Sequence, residues 1–62
     1  MTYSEYKESF DHEEDFMAAL GKMSYEEAHA LVSAEETSAT IKACMMSTWK
    51  RAKEQYEKES SL

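Results

Sequence analysis

An all-α fold is predicted by three features of this chain. Its 62 residues include no proline and one glycine, so little interrupts a helix. Alanine, glutamate, lysine and methionine recur throughout, and all are good helix formers. Strand formers are scarce, with Val32 the one valine and Ile41 the one isoleucine. Two to three helices are expected, the last a long amphipathic one, packed together as a helical homodimer.

The first helical stretch is predicted from Thr2 or Ser4 to Leu20. Thr2 with Glu5 fits a capping box, in which the hydroxyl accepts a first-turn amide and the acid reaches back. Tyr6, Phe10, Met17 and Leu20 fall on one stripe, interrupted at Glu13 and Glu14. The run Asp11–Asp15 (DHEED) suits a first turn better than an interior, because the helix dipole favours acids there. Asp11 with Glu14 approximates a second capping box. A break near Asp11 would leave residues 1–10 as an irregular or short helical arm. Gly21 is read as the stop, a C′ residue in the left-handed conformation.

Ser24 with Glu27 marks the next start, and Met23 before it can act as the staple residue. This helix is predicted to reach about Val32, with Tyr25, Ala28, Leu31 and Val32 inward. Glu26, Glu27 and His29 then face water. Ser33 with Glu36 would cap a third helix from about Ala34 to Lys58; the alternative is one continuous helix from Ser24. Ile41, Met45, Thr48, Ala52 and Tyr56 repeat along it at helical spacing, and Cys44 and Trp49 widen the stripe. Residues 59–62 are expected to fray.

Residues 1–62 suffice for one small domain. A chain this short buries only ~60% of the surface it exposes when unfolded, and small domains usually need a staple. Cys44 is the single cysteine, which excludes an internal disulfide and fits a reducing compartment. It is read as a buried structural cysteine beside Met45 and Met46. A second copy is therefore the expected staple, since two short helices fall short of covering the long stripe. The predicted interface is Ile41, Met45, Thr48, Trp49, Ala52 and Tyr56, with Trp49 as its anchor. Met17, Met23, Met45 and Met46 add flexible apolar surface, read first as core packing.

Charge divides the chain. Met1–Glu36 holds ten acids and two lysines, a balance of −8, whereas Thr37–Leu62 holds five bases and three acids, a balance of +2. No acid lies between Thr37 and Lys53. Such asymmetry predicts two surfaces that attract each other, within one chain or between copies. The acidic surface is assigned to Glu13, Glu14, Asp15, Glu26 and Glu27, and the basic patch to Lys42, Lys50, Arg51 and Lys53. A net charge of −6 argues against nonspecific binding to nucleic acid or anionic lipid. The opening MTYSEYKESFDHEED is polar and acidic, predicting no targeting segment. Charge-free runs such as Ala43–Trp49 fall far below the ~20 residues that span a bilayer. A soluble cytoplasmic protein that makes no membrane contact is expected.

No constellation predicts catalysis, a cofactor or a metal. Asp11, His12, Glu14 and Asp15 resemble a ligand cluster, but a zinc site needs three or four converging ligands, usually His or Cys. They are read as a solvated helix start. Cys44 with a histidine lacks a glycine-rich loop for an oxyanion hole. The stretch Phe16–Val32 has the outline of a helix-turn-helix, yet its second helix opens Ser-Tyr-Glu-Glu, which phosphate would repel. It is read as a plain helical hairpin, and the chain as a non-enzyme.

A tiny, acidic, helical, cysteine-poor chain resembles the small early-region accessory proteins of temperate lambda-like bacteriophages, in size and style across its whole length. The resemblance implies a protein that binds and modulates a host factor in the host cytoplasm. The residues themselves support a non-catalytic, homodimeric interaction module with an unidentified protein partner. The alternative is an acidic DNA mimic presenting Glu5, Glu8, Asp11, Glu13, Glu14, Asp15, Glu26 and Glu27. A second alternative is a small DNA-binding regulator using Lys42–Lys53.

Overall fold

Hydroxyl side chains start three helices of the chain. In the computed structural model, which describes residues 1–60, four helices follow one another: α1 (Tyr3–Glu8), α2 (Glu13–Gly21), α3 (Tyr25–Ser33) and α4 (Ala39–Ser60). Thr2 Oγ1 accepts the Glu5 amide at 3.1 Å, while the Glu5 carboxylate accepts the Thr2 amide at 2.9 Å. Ser24 and Glu27 repeat the same box at α3. At α4 the cap is Ser38, whose Oγ accepts the Ile41 amide at 3.3 Å. Ser33, expected in that role, is instead the last residue of α3. Asp11 does not cap α2 either. His12 stands at that position without a side-chain bond, and Glu13, Glu14 and Asp15 complement the dipole from the first turn.

The all-α class and the long carboxy-terminal helix are as predicted, but among the described residues the helices number four rather than two or three. The break expected near Asp11 separates α1 from α2, and α1 is a capped helix of six residues. Likewise α3 and α4 are distinct, joined through residues 34–38. α4 continues to Ser60, and residues 61 and 62 of the predicted frayed tail lie outside the described residues.

The core forms where α1, α2 and α3 meet the middle of α4. Tyr3, Phe16, Leu20, Val32 and Ala52 make one buried cluster, and Ala28 is buried on α3. Phe16 is its centre: the Tyr3 ring meets it edge-on at 5.6 Å, with Tyr6 and Phe10 each at 6.1 Å. Burial pushes the Tyr3 phenol pKa up, opposed by hydrogen bonding to Thr48. The α1 segment is also held from outside the core, because the Ser4 amide donates to the Glu35 carboxylate beyond α3.

Gly21 overturns its predicted role. Among the described residues no glycine has positive φ, and Gly21 closes α2 as a buried helical residue. A Cβ built on it would lie 2.6 Å from the Ala52 carbonyl oxygen and 3.0 Å from Tyr56 Cβ. The glycine is there for close approach of α2 to α4.

The carboxylates that fix α1 make its docking sensitive to acid. The Ser4 amide and side chain hold the Glu35 carboxyl below the usual carboxylate range, and the Thr2 amide and side chain do the same for Glu5. A depressed folded-state pKa contributes stability that is fully present above the ordinary glutamate value of about 4.3. It is lost as pH falls through the depressed value. α1 should therefore detach before the other helices on acidification, read by NMR at Ser4 and Tyr3. Glu35→Gln should flatten that response at Ser4. A single transition shared by all four helices would refute it.

Candidate interaction surface

The stripe of α4 is divided by the fold into a covered middle and two open ends. Ala52 is a core residue, and Met45 and Trp49 pack half-buried against the same cluster. Thr48 is half-buried and donates its hydroxyl to the Cys44 carbonyl at 3.0 Å. Ile41 at one end and Tyr56 at the other stay 48% and 38% exposed. The short helices thus cover the centre of the stripe within a single chain, α2 contributing most and α3 lying beside it.

Trp49 is tied to the connection between α2 and α3. Its Nε1–H donates to the Met23 carbonyl at 3.2 Å, and Lys53 Nζ reaches the same oxygen at 3.4 Å. A half-buried indole needs such an acceptor, and carbonyls just past a helix end are free to supply it. Lys53 also sits 5.6 Å from the Trp49 ring centre, and Tyr25 meets that ring edge-on at 5.8 Å. Tyr25 itself, expected inward, is 58% exposed and stacks on His29. It stands in the first turn of α3, where its ring meets Trp49 only at an edge. Cys44, expected to be buried, is exposed on α4.

The charged residues are not used alike. Glu13, Glu14 and Asp15 on α2 and Glu26 and Glu27 on α3 are all exposed, with Glu27 engaged in its cap. Of the basic set, Lys53 is held at the Met23 carbonyl, and Lys42 lies close enough to Glu35 to lower its pKa. Lys50 and Arg51 point to solvent.

An open groove of about 680 Å³ runs between α2 and α4. Glu13, Glu14, Asp15, Met17 and Ala18 form its α2 side; Ala52, Gln55, Tyr56 and Glu59 form its α4 side. It combines the predicted acidic set of α2 with one end of the predicted apolar stripe. Gln55 and Glu59 were missing from both sets, although each lies one turn along from the other on the α4 surface.

This surface offers shape, apolar contact and negative charge. Among the described residues no three His, Cys, Asp or Glu side chains converge as metal ligands, and no helix is long and apolar enough to cross a membrane. No protein-family model matches the chain, and no curated protein or solved structure matches it.

Proposed function

We propose that the chain is a non-catalytic protein-interaction module, which binds a partner protein and modulates it by contact. In the phage setting its style suggests, that partner is a host protein. The carrying observation is the groove between α2 and α4, where Met17, Ala18, Ala52 and Tyr56 share the lining with the carboxylates of Glu13, Glu14, Asp15 and Glu59. Apolar surface ringed by polar groups is the anatomy of protein interfaces. The exposed thiol of Cys44 fits a reducing compartment, which supports a cytoplasmic setting.

An affinity pull-down from lysate at low and physiological salt tests the proposal. One stoichiometric partner should survive physiological salt, and Tyr56→Ala should weaken its binding about tenfold, the effect of losing ~1.4 kcal/mol. Unchanged binding would move the contact away from the groove. The DNA-mimic reading is favoured by the exposure of Glu13, Glu14, Asp15, Glu26 and Glu27. Salt separates the two, because a mimic loses affinity steeply as ionic strength rises.

A further inference from the structure

We infer that the groove between α2 and α4 is occupied by a second copy of this chain, with the two α4 helices antiparallel and each lying along the other's groove. This rests on the reading of the groove as an interaction surface and gives that groove to a second copy, so that any further partner is met by the dimer. The groove lining holds Glu13, Glu14, Asp15 and Glu59, and the cation beside it is Lys22, whose Nζ lies 5.9 Å from the Tyr56 ring centre. The chain carries the complement itself: α4 is free of acid from Ala39 to Lys53, and Arg51 is exposed within that stretch. An apolar side chain is also on offer, since Ile41 is about half exposed at the start of the same helix.

Helical spacing puts these groups in one place. At 3.6 residues per turn, Ile41, Cys44, Arg51 and Gln55 fall on one flank of α4. Gln55 lines the groove, so this flank borders it. A second α4 laid antiparallel on that flank sets the start of one helix beside the end of the other. Ile41 then covers the apolar lining at Tyr56, and Arg51, closer to the middle, faces the carboxylates of Glu13 and Glu14. The pairing is two-fold. Both grooves fill, and the contact closes instead of growing into a filament. Opposed helix dipoles favour the same orientation. A chain with so small a core gains from the added burial.

Sedimentation equilibrium of the full chain provides the test, with circular dichroism to show that each variant is folded. The wild-type chain should be a dimer. Arg51→Glu alone, and Glu13→Lys with Glu14→Lys, should each raise the dimer dissociation constant at least tenfold by setting like charges together. An equimolar mixture of the two variants should recover the wild-type constant, because both contacts of the mixed dimer again oppose unlike charges. A wild-type monomer, a dimer indifferent to both reversals, or variants that do not rescue each other would overturn the inference. A wild-type monomer that still retains its partner in the pull-down overturns the second copy alone. A rescued dimer that retains no partner supports the second copy and refutes the partner-binding reading.

Discussion

Phe16→Ala should remove the cooperative thermal transition of this chain. Phe16 is 2% exposed and is the ring on which Tyr3, Tyr6 and Phe10 converge from α1 and the segment after it. Truncating a buried phenylalanine costs about 3–5 kcal/mol, because transfer energy is lost and a cavity remains. A chain of this length has a total stability of about 3–9 kcal/mol at the usual value per residue. The loss is therefore comparable with the whole. Phe16→Leu keeps most of the volume and gives up the edge-on aromatic contacts, worth roughly 0.5–1.5 kcal/mol. It should still melt cooperatively, at a lower temperature. Far-UV circular dichroism against temperature distinguishes the two. A Phe16→Ala melt within a few degrees of wild type would mean that the aromatic cluster is not the centre of the core.

What was legible in the sequence is what is decided locally. The boxes at Thr2–Glu5 and Ser24–Glu27 join residues three apart, so spacing alone discloses them. The long amphipathic helix shows in its own periodicity, and the break after α1 in a run of acids. Features that depend on another helix were not legible. The Ser4–Glu35 bond spans 31 residues, and no pattern near either residue announces it. Tyr25 shares helical spacing with Ala28 and Val32, yet only the latter two reach the core. Trp49 looked like a free interface anchor because the carbonyl it bonds belongs to a turn distant in sequence. The candidate site divides the same way. Its acids and its apolar stripe could be named from residue types, but the groove is made by α2 lying across α4. That approach depends on the one residue whose role was most misread.

Gly21→Ala should lower the melting temperature, although alanine is the better helix former. In a helix interior the exchange gains about 1 kcal/mol, and less at the last residue of α2, where fewer helical bonds are at stake. Against it stands the 2.6 Å separation between the new Cβ and the Ala52 carbonyl oxygen, with Tyr56 Cβ at 3.0 Å. Neither obstacle is the far end of a flexible side chain. Relief requires α2 to retreat from α4, which loosens Leu20 and Ala52 together. Overpacking of this kind costs about 1–3 kcal/mol, so the clash outweighs the propensity. In a chain this small each net kcal/mol lowers the melting temperature by roughly 4–8 °C. Adding Ala52→Gly should not rescue the variant, because the nearest atom is the carbonyl of residue 52 and not its methyl. A Gly21→Ala chain that melts at or above the wild-type temperature would show that the two helices stand further apart. Recovery by Ala52→Gly would instead place the conflict at the methyl group.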